Sequence, residues 1–258
     1  MQLPEERRQM IVDAVEREGR VLAAELAGRL AASEDTIRRD LRDLDAAGLL
    51  RRVHGGAVRL RPAANFGARA ETDLPRKQLL AQGLRACIRP GDTVLVDAGS
   101  THLALARQLD DGCAAAIVTN SPQIALALGH FRRTRIVLLG GTYHPDEGAT
   151  YGAATLAEVG RLRPDLALVG VCGVDVERGL AASNPEEAAL KHAMLEASAR
   201  CAAAVLNERF DDRAPFVFGA LDRIDQLVLE CDAPPPAVAR LRALHPALDL
   251  TFTTKAQA

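Results

Sequence analysis

Apolar residues recur at helical spacing from the start of the chain. Met10, Ile11, Ala14 and Val15 share one face of a helix predicted over 4–18, and Gly19 follows as a stop. Ala23, Leu26, Ala27 and Leu30 define a second, short helix. The link Ala31-Ala32-Ser33 is tight, and Ser33 is a natural N-cap for a third helix over 34–47, with Glu34 and Asp35 at its electropositive start. Here Ile37, Leu41 and Leu44 fall at i, i+4 and i+7 and must face the other two helices. At about 100° per residue, Arg39 and Arg42 then point away from that core, flanked by Thr36 and Arg38. Gly48 stops the helix, and two short extended runs, 50–53 and 57–60, enclose His54-Gly55-Gly56, which reads as a β-hairpin.

Helix, helix, tight turn, helix and basic hairpin make up a winged helix-turn-helix over residues 1–60. In that arrangement the third helix enters the major groove of double-stranded DNA and the hairpin lies along the backbone. The pattern then changes. Residues 61–75 contain Pro and Gly without a long apolar run and read as an inter-domain linker. From 76 to 258, short apolar runs at 93–97, 115–119, 135–139, 166–171, 202–206 and 227–230 alternate with helical segments. This alternation predicts an α/β domain whose mostly parallel sheet is covered on both faces.

In such sheets ligands bind at the carboxyl ends of the strands. Three of those ends are polar or glycine-rich: Asp97-Ala98-Gly99-Ser100-Thr101, Thr119-Asn120-Ser121 and Gly140-Gly141-Thr142. Glycines permit close backbone approach, and hydroxyls with N–H groups suit a phosphate. Any one of these turns could be ordinary loop chemistry, whereas three at equivalent strand ends point to a binding crevice. No dinucleotide or nucleotide-triphosphate motif is present, and no cofactor is implied.

Charge refines the reading. The 258-residue chain has a formal net charge of −2, yet residues 36–61 hold seven Arg against three Asp. A local basic patch on a mildly acidic body fits a small DNA reader attached to a sensor. Taken singly, each arginine reads as solvated surface, but together they gather on one non-core face and continue onto the hairpin. Five scattered cysteines without a Cys-x-x-Cys pair argue against a disulfide framework or structural zinc, and no metal is expected. No apolar stretch is long enough to span a membrane and the start lacks a secretory signal, so a cytoplasmic protein is expected.

Two motifs carry a resemblance. Thr36-Ile37-Arg38-Arg39-Asp40-Leu41 followed by His54-Gly55-Gly56-Ala57 resembles the recognition-helix and wing motifs of the DeoR family of bacterial regulators. The resemblance makes Thr36, Arg38 and Arg39 DNA contacts, with Asp40 orienting an arginine. The candidate DNA-binding set is Ser33, Thr36, Arg38, Arg39, Arg42, Arg51, Arg52 and His54. The likeness continues through Phe66, Arg69 and Lys77, through Asp97-x-Gly99-Ser100-Thr101, and through Thr119-Asn120-Ser121, Gly140-Gly141 and Gly152. Asn184-Pro185-Glu186-Glu187 then opens a helix, with Asn184 as N-cap and Glu187 closing a capping box. Read from its spacing, Lys191 is a surface ion-pair partner of Glu187 at i+4; the resemblance instead makes it a ligand for an effector's phosphate.

The chain departs from the family pattern twice. Pro75 and Arg76 stand where acidic residues are usual, and where the family shows an Asp followed by Ser-Ser-Lys and Phe this chain has Leu206-Asn207-Glu208-Arg209-Phe210, shorter by about two positions. Arg209 either takes over phosphate binding from that lysine or pairs with Asp211 or Asp212. The candidate effector set is Asp97, Gly99, Ser100, Thr101, Thr119, Asn120, Ser121, Gly140, Gly141, Lys191 and Arg209. The resemblance implies a sensor domain similar to the ribose-5-phosphate isomerase and CoA-transferase fold. It further implies a homo-oligomer, dimer or tetramer, that represses a carbohydrate operon under control of a phosphorylated sugar. The rival is a sugar-phosphate isomerase-like enzyme with a DNA-binding appendage, for which Asp97, Asp175 and Glu187 are the available carboxylates.

Overall fold

The computed structural model describes residues 4–18, 20–47, 49–53, 55–59, 65–210 and 214–254. Gly19, Gly48, His54, Asp211, Asp212 and the first part of the expected linker lie outside the described residues. The chain divides into two units, Met1–Ala63 and Ala64–Ala258.

The first unit runs α1 (Pro4–Glu18), β1 (Arg20–Leu22), α2 (Ala23–Arg29), α3 (Glu34–Ala46), β2 (Leu50–Val53) and β3 (Gly56–Arg59). Ser33 caps α3 as its sequence predicts, its Oγ accepting from Thr36 N–H at 3.2 Å. Ile37, Leu41 and Leu44 are buried together with Ile11, Ala14, Val15, Leu26 and Leu50. The apolar stripe is therefore what orients α3. The hairpin has a third strand that its sequence did not announce: β1 pairs antiparallel with β3, giving the order β1-β3-β2. The two wing glycines serve different ends. Gly55 sits in the left-handed region at φ +82°, whereas a Cβ on Gly56 would lie 2.0 Å from the Val21 carbonyl oxygen, so β1 can approach only a glycine.

The second unit begins sooner than the composition suggests. Asn65 caps α4 (Phe66–Glu71), whose Phe66 is buried, and α5 (Leu74–Cys87) follows directly. Much of the stretch 61–75, read as linker, is thus helical. Next come β4 (Thr93–Val96), α6 (Ser100–Ala106), β5 (Ala116–Thr119), α7 (Pro122–Ala127) and β6 (Arg135–Leu138). A hairpin of β7 (Thr142–His144) and β8 (Ala149–Tyr151) leads into α8 (Ala153–Val159) and β9 (Leu166–Val169). Then follow β10 (Gly173–Asp175), β11 (Gly179–Ala182), α9 (Pro185–Ala197) and β12 (Cys201–Val205). A 3-10 turn at Asn207–Phe210, β13 (Phe216–Gly219), β14 (Gln226–Leu229), α10 (Pro235–Leu244) and β15 (Asp249–Phe252) complete the order. Among the described residues, no helix is long and apolar enough to cross a membrane.

Seven of these strands form one parallel sheet in the order β15-β14-β12-β9-β4-β5-β6. Side chains alternate between its faces. Val94, Val96, Ile117, Leu166 and Leu168 enter a core with α4 to α7, while Leu95, Val118, Ala167 and Val169 enter another with α8 to α10. From β4 the chain proceeds outward to β5 and β6, then returns to β9 on the other side of β4. The carboxyl ends of β4 and β9 therefore flank a topological switch point, the place where open α/β sheets take their ligands.

Candidate functional site

On α3 the face opposite the core is cationic. Arg39 and Arg42 are exposed, and neither has a hydrogen-bond or ion-pair partner among the described residues. Arg38 is exposed but engaged, donating to Glu34 at 2.7 Å and lying 3.7 Å from Asp35. Ser33 is exposed and Thr36 half-buried at the helix start, their hydroxyls 2.8 Å apart. Arg52 is exposed on β2, with its backbone N–H bonded to Asp45 Oδ1. Backbone alone is described for Arg51, and His54 lies outside the described residues. Asp40 does not reach outward: it is buried and accepts from Arg7 Nε at 2.6 Å and Arg8 Nε at 3.2 Å. It ties α3 to α1 and so fixes the angle at which the cationic face is presented.

At the switch point, Asp97 follows β4 and Gly170 follows β9. Asp97 Oδ2 accepts the Gly170 N–H at 2.9 Å and the Lys191 ammonium at 2.5 Å. The ammonium also donates to Gly170 O at 2.7 Å and lies 3.2 Å from Glu187 Oε1. Lys191 and Asp97 are only 2% and 1% exposed in their side chains, so this pair is part of the interior. Burial alone would push the Lys191 ammonium down, but Asp97 and Glu187 outweigh it and hold it above the ordinary lysine range. The pair with Glu187 is not the surface ion pair that its spacing predicts. It forms, but it is buried, and all three ammonium donors are already taken.

Other expected residues divide into framework and rim. Asn120 Oδ1 accepts Ala98 N–H at 2.8 Å, its Nδ2 reaches Thr150 O at 3.4 Å, and Thr119 Oγ1 accepts Ser121 N–H at 3.1 Å. Thr119, Asn120 and Ser121 are wholly buried and form the framework of these strand ends. Gly99, Ser100 and Thr101 are half-buried, and Gly140 and Gly141 are exposed. A ligand can touch these. Arg209 is half-buried on the β9 side, 3.4 Å from Cys172 O. His102 was not anticipated: it is buried, and its Nδ1 lies 2.8 Å from Asp97 O. Desolvation pulls its pKa down to about 4, so the ring is neutral and Nδ1–H donates to that carbonyl. Asn184 caps α9 as expected, but Glu187 Oε2 reaches Ser183 N–H, one residue before the position a regular capping box would serve.

These two sites lie in regions that match two family models in the same order. The DeoR-like helix-turn-helix domain matches residues 7–63, and the DeoR C-terminal sensor domain matches residues 72–230. The chain belongs to the DeoR family. Among DeoR-like relatives, the HTH-type transcriptional regulator GlpR of Haloferax volcanii is 32% identical over 232 residues, covering 88% of this chain and 90% of that protein. The glycerol-3-phosphate regulon repressor of Escherichia coli is 31% identical over 228 residues, with 88% and 90% covered. Among solved structures, the probable sor operon regulator of Shigella flexneri is 14% identical with a TM-score of 0.44, covering 78% of this chain and 97% of that one. Within the DeoR sensor region, sequence reasoning missed Gly170, Thr150 and His102. Of these, only Gly170 left a trace, as the glycine interrupting the apolar run 166–171.

Proposed function

We propose that this DeoR-family chain represses a carbohydrate-metabolism operon, holding operator DNA through α3 and the wing until a phosphorylated sugar or related metabolite occupies the strand-end crevice. The observation that carries the reading is the exposed Arg39 and Arg42, without partners among the described residues, on the outer face of a helix whose inner face is core. Such cations on a helix of groove-fitting size are what phosphate and base-edge recognition requires. A second half-site would add affinity and specificity, so a homo-oligomer, dimer or tetramer, belongs to the proposal. A protein acting on an operator works where the DNA is, here the cytoplasm. For Arg39→Ala the expected result is weaker DNA binding by a folded protein. If Arg39 binds a phosphate, the variant's affinity should fall on all sequences and its salt slope should drop by about one. If Arg39 reads a guanine, the cost should be about 1–3 kcal/mol at one base position. Equal affinity of variant and wild type on cognate and random DNA sinks the assignment.

For the effector, charge decides the orientation. Asp97, Glu187 and Lys191 together carry one net negative charge at the crevice floor, which repels a phosphate. The phosphate therefore sits at the rim, on the N–H and hydroxyl groups of Gly99, Ser100 and Thr101 after β4, with Arg209 beside Cys172 beyond β9 as its cationic side chain. Asp97, 1% exposed, supports that site from the interior through Gly170 and Lys191. The relative named a glycerol-3-phosphate regulon repressor supports the phosphorylated class. An isomerase needs a carboxylate at liberty to take a proton. Asp97 and Glu187 are bound to Lys191, and Asp175 accepts the Glu177 and Arg178 N–H groups, so all three are committed to structure. A panel of phosphorylated sugars tested on the protein bound to its own upstream DNA decides the matter. At least one should release the DNA without being turned over, and its dephosphorylated form should not. Turnover without release would favour the enzyme.

A further inference from the structure

We propose that the β7–β8 hairpin transmits occupancy of the crevice to α4, the helix that begins the sensor unit. This deepens the effector reading above and depends on it. The hairpin has one end in the crevice framework. Thr150 N–H donates to Asn120 O at 2.8 Å, and the Thr150 hydroxyl lies 3.2 Å from that carbonyl and 3.0 Å from Leu139 O. On the facing strand the Tyr143 hydroxyl accepts from Gln123 at 2.6 Å, and Gln123 accepts from Ser121 at 3.2 Å.

The other end is the turn 145–148, which grips α4. Arg69 donates to the carbonyls of Asp146 and Glu147 at 3.0 and 3.3 Å. Phe66 packs so closely on Gly148 (φ +67°) that a Cβ there would lie 2.4 Å from the ring. α4 is held from its far end too: the buried Lys77 ammonium donates to Arg69 O and to Thr72 O, the latter at 2.6 Å. Between the two ends run three residue pairs, Thr142↔Tyr151, Tyr143↔Thr150 and His144↔Ala149. β8 is buried in the core on the α8–α10 face through Ala149 and Tyr151, so the ladder moves with that core and carries its position to the turn on α4. A ligand that favours one seating of the crevice end therefore biases the grip on α4, provided it binds the two seatings with different affinity. Along the chain, residues 60–65 separate α4 from the wing.

Two measurements on the full chain test this. In hydrogen exchange without ligand, Thr150→Val loosens the crevice end and should speed exchange of amides 66–71 by about threefold or more, as sub-global opening predicts. Val238→Ala in α10, on the opposite face of the sheet, should leave those amides protected. Unchanged exchange at 66–71 in Thr150→Val overturns the coupling. Next, the phosphorylated-sugar panel is applied to wild type and to Arg69→Gln on operator DNA. Arg69→Gln should bind the active sugar phosphate with wild-type affinity in a direct titration, yet require at least about tenfold more of it to release DNA, within the range of ordinary allosteric couplings. Release at the wild-type concentration refutes the route. If no panel member acts on wild type, the effector reading fails, and the exchange result alone decides the coupling.

Discussion

Lys191→Met is expected to destabilise the sensor unit by about 3–5 kcal/mol, the usual cost of removing one member of a buried ion pair. Methionine fills much of the lysine's volume but donates nothing. Asp97 would keep only the Gly170 N–H on Oδ2, Glu187 would lose its cation, and the Gly170 carbonyl would lose its donor. Denaturant titration of the full chain measures the loss, which should fall on the sensor unit while the reader's transition stays in place. Adding Asp97→Asn to Lys191→Met should regain part of it, because it removes the carboxylate charge stranded by the loss of Lys191. A Lys191→Met protein as stable as wild type would mean that the pair is not made in solution. A Lys191 that did no more than hold an effector's phosphate would leave, on substitution, a folded variant deaf to its effector; its burial predicts a damaged fold first.

Acid should weaken the same unit in a defined window. Burial lowers the folded-state pKa of His102 to about 4, below its ordinary value of 6.5. Above that ordinary value the ring is neutral in both states and contributes no pH dependence. As pH falls through it, the unfolded chain takes up a proton that the folded chain refuses until about 4, so stability declines across the interval. The full decline is about 3 kcal/mol at the standard conversion from a pKa difference. His102→Gln should flatten this part of the stability–pH curve. An equally steep curve in the variant would assign the effect to other groups.

Six strands of the main sheet were legible as short apolar runs, those inside the sheet buried on both faces and the edge strand β6 largely exposed, and their limits fall within a residue or two of those predicted. β1 and β15 were not. β1 has three residues abutting a helix, and β15 mixes Asp and Thr with its apolar residues, so neither shows a period long enough to read. The cationic face of α3 followed directly from helical spacing, since a local periodicity fixes it. The crevice floor did not. Lys191 looks like the surface partner of Glu187 until the fold brings Asp97 to it from 94 positions away. A similar nonlocal meeting explains Arg76, which stands out in the sequence as a departure from the family pattern. It forms a bidentate pair with Glu230 and also binds Glu208, which lies in the second departing segment.

The alternation of side chains across the seven-stranded sheet has a consequence for how variation accumulates. Val94 and Leu95 are covalent neighbours, yet they belong to separate cores, while Leu95 shares a core with Met194. Substitutions couple when residues share a cavity or a packing shell and add when they do not. Epistasis along each central strand should therefore alternate with a period of two: a position is nearly indifferent to changes in its immediate neighbour and sensitive to changes a hundred residues away. Two families of compensating mutations can drift side by side through the same strand, each answering to the helices on its own face.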